Sequence, residues 1–146
     1  MKLGIMQPYF FPYIGYWQLL NAVDKYVIYD DVNFIKNGWI NRNRILIAGA
    51  AQWFTLPLWQ ASPFKRINEI EITPELKLKT KLLKTLDMAY HKAPFFKPVF
   101  ELFEQTLAQG SNLSECLSFS IRQIAQYLDI QTEIILSSSL EKDNTL

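Results

Sequence analysis

GIMQPYFFPYIGYWQLLNAVDKYVIYDDVNFIKNGWINRNR, residues 4–44, decides the fold. A short apolar run, Leu3 to Met6, stops at Gln7-Pro8 and enters a turn packed with rings, Tyr9-Phe10-Phe11-Pro12-Tyr13. A helical pattern follows, with Tyr16, Leu19, Leu20 and Val23 on one face. A second β-branched run, Tyr26-Val27-Ile28-Tyr29, then ends abruptly in Asp30-Asp31. Strand, loop, helix and strand in this order predict a βαβ unit with two parallel strands and a right-handed crossover. Ligands of such units bind outside the carboxyl ends of the strands. Both ends are chemically loaded here, so the site is expected at Gln7 to Tyr13 and at Asp30-Asp31.

Downstream, Asn37-Gly38 is a turn signal. Residues 44–58 read as a hairpin turning at Ala48 to Ala51, with Pro57 at an edge or strand end. Ile67 to Ile72 alternates as a half-buried strand would. The second half is helical. Thr73-Pro74-Glu75 predicts a helix start with a capping hydroxyl, and Leu76, Leu83, Leu86 and Tyr90 then line its inner face. A second helix turns Phe96, Phe100, Phe103 and Leu107 inward. Asn112 with Glu115 resembles a capping box for a third, built on Leu113, Leu117, Ile121, Ile124 and Leu128. Ile130 to Leu136 is the last strand, and Ser137-Ser138-Ser139 opens a polar tail. The expected class is α/β: a mixed, partly parallel sheet opened by a βαβ unit, with a helical second half, all in one domain over residues 1–146.

Composition narrows the partners. A net charge of +1 gives no global field to attract polyanions, which argues against a general nucleic-acid role. No apolar run reaches the ~20 residues that span a bilayer, and no signal-peptide core opens the chain, so a cytoplasmic protein is expected. The single cysteine, Cys116, excludes an internal disulfide and falls near the core stripe of the third helix, where it reads as a small hydrophobe. No Gly-rich phosphate loop, G-x-S-x-G, H-E-x-x-H or C-x-x-C is present.

Four constellations carry chemistry. Two prolines stiffen the ring-rich turn, making Gln7, Tyr9 and Tyr13 hydrogen-bonding groups of a preorganised pocket wall; the phenylalanines beside them read as packing. Asp30 and Asp31 at a strand end suit a general base or a ribose or amine contact, against a plain Asp-closed turn. Adjacent strand residues point to opposite faces, so one acid at most is expected to face the site, and two acids alone establish no metal. Lys36, Asn41, Arg42 and Arg44 interleave with Phe34 and Trp39, and no acid lies between residues 36 and 44, which favours a phosphate or carboxylate site over a solvated loop. His91, the one histidine, suits a general acid or base, against the simpler role of a cation at a helix C-terminus.

These segments resemble the WbqC-like family: Met6 to Tyr16, Asn21 to Val32 and Lys36 to Ile45, followed by Tyr90-His91-Lys92-Ala93-Pro94-Phe95-Phe96. The resemblance covers essentially the whole chain. It implies a gene product of bacterial surface-polysaccharide (O-antigen) synthesis, with a glycine-type aminoacyl or acyl transferase role. The implied partners are a small acyl or aminoacyl donor and a sugar acceptor; the implied cofactor is unknown. Gln7, Tyr9 and Tyr13 would orient the donor, Lys36, Arg42 and Arg44 would hold a phosphate or carboxylate, and Asp30, Asp31 or His91 would take the proton. A Tyr-x-Asn-Pro-x-Gly-Gly-like segment usual in the family has no counterpart after Ser139, so a C-terminal portion is expected to be missing. Two alternatives share the same βαβ unit: a nucleotidyltransferase-like ATP site, although no His-x-Gly-His-like turn occurs, and a non-catalytic glycan- or partner-binding module.

Overall fold

A computed structural model describes residues 1–143. The expected βαβ unit is present: β1 (Leu3–Met6), α1 (Ile14–Asn21) and β2 (Lys25–Ile28), with β1 and β2 parallel. The final strand, β7 (Glu133–Leu136), pairs parallel to the other side of β2, which makes β2 central in a three-stranded sheet ordered β1-β2-β7. Register puts Gly4, Tyr26 and Ile134 side by side on one face, where Tyr26 packs with Tyr16 and Leu20 of α1. Gly4 is required by that packing, because a Cβ there would meet the Tyr26 ring at 2.9 Å. The opposite face carries Leu3 and Ile5, each about half exposed, and the Lys25–Glu133 ion pair at 3.1 Å.

A hairpin of β3 (Arg42–Ile47) and β4 (Ala50–Thr55) follows. Its two-residue turn, Ala48-Gly49, has both φ angles positive, at 50° and 78°, the geometry that matches strand twist in a tight hairpin. β5 (Leu58–Trp59) and β6 (Glu71–Ile72) form a short antiparallel pair. Three helices complete the chain: α2 (Leu76–Tyr90), α3 (Phe96–Ala108) and α4 (Leu113–Tyr127). α4 joins the two parts of the core. Its Leu113, Cys116 and Leu117 pack with Phe10, Phe54, Phe103 and Ile70, while Ile121 and Ala125 pack against the parallel sheet with Tyr26 and Ile28.

Several boundaries differ from expectation. Residues 67–72 are not one strand: Ile67–Glu69 is a 3₁₀ turn and only Glu71–Ile72 is extended. Ile67 and Ile70 are both fully buried, and that three-residue spacing matches a helical turn rather than a strand period. The Thr73 hydroxyl does not cap α2. Glu75 occupies the cap position, while Thr73 is buried with its N–H on the Pro57 carbonyl at 3.0 Å. Leu76 consequently lies in solvent, 76% exposed, and Leu82 is the buried residue of that helix. The last strand starts at Glu133 rather than Ile130, because Asp129 takes a left-handed φ of 57° and Ile130 N–H closes the end of α4 on the Ala125 carbonyl. Asn112 caps α4 as expected, accepting from Glu115 N–H at 3.1 Å. No helix among the described residues is long and apolar enough to cross a membrane.

Candidate functional site

The loop after β1 builds a cleft. Phe11 takes a left-handed φ of 47°, and successive rings leave the backbone in opposite directions. Phe10 goes into the core with no exposed surface and stacks on Phe54 at 6.0 Å, while Tyr9 and Tyr13 turn outward and meet at 6.4 Å. Tyr13 lies across the first turn of α1, which Gly15 permits, since a Cβ there would meet the ring at 2.5 Å. The opposing wall is the turn at residues 35–40, whose Trp39 contacts Tyr9 at 6.0 Å. The cavity between them has a volume of about 530 Å³, and no charged residue lines it.

Gln7 sits at the cleft floor, where β1 ends. Tyr16 donates to its backbone carbonyl at 3.3 Å, and its side-chain amide has no hydrogen-bond partner among the described residues. Burial raises the pKa of Tyr9, helped by the neighbouring Tyr13, and burial with Tyr26 beside it raises that of Tyr16 further. Both phenols therefore stay protonated near neutral pH and remain hydrogen-bond donors.

Arg42 joins this cleft by holding its far wall. Its guanidinium donates to the Gly38 carbonyl at 3.0 Å and to the Asn37 carbonyl, and lies 4.0 Å from the centre of the Trp53 ring. Arg44, on the same face of β3, is 5.5 Å from that ring. Trp53 in turn meets Trp39 at 5.5 Å. Asn41 is structural: its amide donates to the Leu56 carbonyl at 2.9 Å, extending the hairpin by one pairing. Lys36 is exposed on the adjoining turn.

The two aspartates form a separate knot at the carboxyl ends of β2 and β7. Asp30 is buried and its carboxylate accepts from Ser114 Oγ at 3.0 Å, Ser137 Oγ at 3.0 Å, and both the N–H and the Oγ of Ser138 at 3.0 and 2.7 Å. Asp31, partly buried, accepts from Ser137 and pairs with Lys142. Burial pushes its pKa up, but the hydrogen bonds from Lys142 and Ser137 and the Lys142 charge outweigh this, and the net shift is downward. Neither acid lines the aromatic cleft. His91 lies elsewhere again, exposed at the end of α2 with Nδ1 3.0 Å from the Asp87 carbonyl. Cys116 is buried against the Thr106 carbonyl, its thiol pushed up to about 12 by burial, which keeps it unreactive. Among the described residues no cluster of three or more His, Cys, Asp or Glu could hold a metal.

Of the residues singled out in the sequence, Gln7, Tyr9 and Tyr13 thus come together, and Arg42 and Arg44 adjoin them through Trp39 and Trp53. Asp30, Asp31 and His91 do not. Sequence reasoning overlooked Trp53 as a site residue; its signal was a tryptophan directly across a strand pair from Arg44. It also missed Ser114, Ser137 and Ser138 as the donors that hold Asp30.

The Lys142 contact has a pH signature. A lowered Asp31 pKa contributes stability that is present above the unfolded carboxylate value, about 4, and is lost as pH falls through the lower folded value. Lys142→Gln is therefore expected to unfold at lower urea than the parent at pH 7, with the two curves merging as acid protonates Asp31 in the folded protein. A difference that persists or grows on acidification contradicts the pairing.

Comparison with known proteins gives the chain's family. Residues 7–146 match the WbqC-like protein family. "Uncharacterized protein Rv1507c" of Mycobacterium tuberculosis (strain ATCC 25618 / H37Rv) is 31% identical over 143 residues, which is 96% of this chain and 62% of that protein. The chain thus spans about three-fifths of the length of this curated relative. No solved structure matches. On a family match that runs almost from end to end, the chain belongs to the WbqC-like protein family.

Proposed function

We propose that this chain binds a sugar in the Gln7–Tyr9–Tyr13–Trp39 cleft and serves in aminoacyl or acyl transfer to that sugar during bacterial surface-polysaccharide synthesis. The observation that carries the sugar is the cleft itself. It is uncharged and walled by rings, with an unpartnered amide on its floor. The C–H face of a pyranose packs on such rings, and its hydroxyls can be met by the Gln7 amide and the protonated Tyr9. The transfer chemistry is supported by the family likeness. In that reaction the acceptor hydroxyl or amine attacks the donor carbonyl carbon and loses its proton as the donor's leaving group departs. Asp31 and His91 both lie outside the cleft lining, so neither is assigned the proton of a sugar held there.

Calorimetric titration with neutral mono- and disaccharides is the test. Binding is expected, and Trp39→Ala should weaken it about tenfold, the value of one lost stacking face. No binding of any sugar at millimolar concentration would discard the proposal. Binding with no transfer from any acyl or aminoacyl donor would leave a glycan-binding module in its place.

A further inference from the structure

We propose that the site continues past the cleft onto the outer face of the β3–β4 hairpin, and takes an extended glycan chain with one acidic residue rather than a single sugar. The proposal rests on the cleft being a sugar site and adds the length and charge of its ligand. Four rings form an unbroken row, Tyr13, Tyr9, Trp39 and Trp53, with successive centres 6.4, 6.0 and 5.5 Å apart. Neighbouring planes are tilted by 51°, 44° and 42°, so each ring offers a differently inclined surface. Three of these rings are well exposed: Tyr13 by 65%, Trp39 by 49% and Trp53 by 52%. Rings this large, held in one contiguous solvent-facing patch, mark a binding surface.

Among the described residues, Trp53 alone of the four rings has cations set against it. Arg42 and Arg44 flank Trp53, and Arg44 has no acidic partner among the described residues. The Tyr13 end, inside the cleft, has no charged lining residue. A single-stranded nucleic acid also stacks on ring ladders, but it brings a phosphate at every step and calls for cations along the whole track. Arginines against the Trp53 ring and an uncharged cleft lining instead fit a chain that is neutral over two residues and anionic at the third. The anion is a uronate or sialate carboxylate of the glycan, or a phosphate carried on its end; an arginine fork donates to either.

Tryptophan fluorescence and calorimetry with a matched series test this. 3′-Sialyllactose, with one carboxylate at its end, is expected to bind about tenfold or more tightly than lactose or free N-acetylneuraminate, because it alone joins a charge-assisted hydrogen bond to the neutral subsites. Lactose 1-phosphate in place of sialyllactose tells a phosphate preference from a carboxylate one; tighter binding of either acid than of lactose supports the proposal. Arg44→Gln should abolish the preference for the acidic ligand and Arg44→Lys should restore part of it. Trp53→Ala should weaken the trisaccharide more than the monosaccharide. Equal affinity for lactose and both acidic ligands, with sugars still bound, overturns the extended site and leaves the sugar cleft standing. Loss of all sugar binding overturns both. Tighter binding of decathymidylate than of sialyllactose overturns the glycan in favour of a nucleic acid.

Discussion

Asp30→Ala is expected to destabilise the chain by about 3–5 kcal/mol, read as a fall in the urea midpoint with an unchanged slope. Asp30 is 2% exposed, and its carboxylate is where three distant segments meet. Ser114 comes from the first turn of α4, and Ser137 and Ser138 from the turn after β7, 84 to 108 residues away in sequence. Truncation leaves the buried Ser114 hydroxyl with no acceptor, takes one of two acceptors from the buried Ser137 and opens a void among them, and a buried orphan alone costs about 1–3 kcal/mol. Against a typical total of roughly 5–15 kcal/mol, this is a large share. Asp31→Asn removes only a partly exposed contact with Lys142, itself 41% exposed, and should cost under about 1 kcal/mol. The pair also separates two roles for Asp30. A group that only exchanges protons with a substrate would leave stability nearly unchanged on removal while transfer stopped. A loss below about 1 kcal/mol in Asp30→Ala would refute the knot.

The contrast between Asp30 and the βαβ unit shows what the sequence could and could not convey. β1, α1 and β2 were legible because their signals are local: two apolar runs with a helical-period segment between them set strand, helix and parallel return without reference to the rest of the chain. The hairpin was legible for the same reason, through Ala48-Gly49 and the flanking apolar stretches. Asp30 carries no such local mark. An acid at a strand end looks the same whether it awaits a substrate or three serines, and its partners arrive only when α4 and β7 dock. Ile67 to Ile72 failed differently: Ile67 and Ile70 are spaced for a helical turn but Ile70 and Ile72 for a strand, and burial of all three with Phe10 and Leu113 set the break between them. Arg42 and Arg44 were recognised as cations without acids nearby. That they stack on Trp53 depends on pairing Arg44 with Trp53 across the hairpin, a matter of register.

Phe10→Ala should cost about 3–5 kcal/mol, comparable to the loss at Asp30, although the residue lies next to Tyr9, which faces the cleft. Its ring has no exposed surface and packs on Phe11 at 5.3 Å, Phe54 at 6.0 Å and Phe103 at 5.8 Å. Removing it leaves a cavity at the junction of the hairpin, α3 and the first loop, where the surrounding rings cannot all move inward together. The loop itself is also pinned there, through Phe10 N–H on the Ile40 carbonyl at 3.0 Å and Asn43 Nδ2 on the Phe11 carbonyl at 2.6 Å. Because the Ile40 hydrogen bond joins the two walls of the cleft, Phe10→Ala is expected to weaken sugar binding as well. Tyr9→Phe, one residue away, should weaken binding while leaving stability within about 0.5 kcal/mol. Urea unfolding and sugar titration on the same two proteins measure both. If Phe10→Ala unfolds as the parent does, then the ring row is not anchored through the core, and Tyr9 and Trp39 are placed by something other than the packing beneath them.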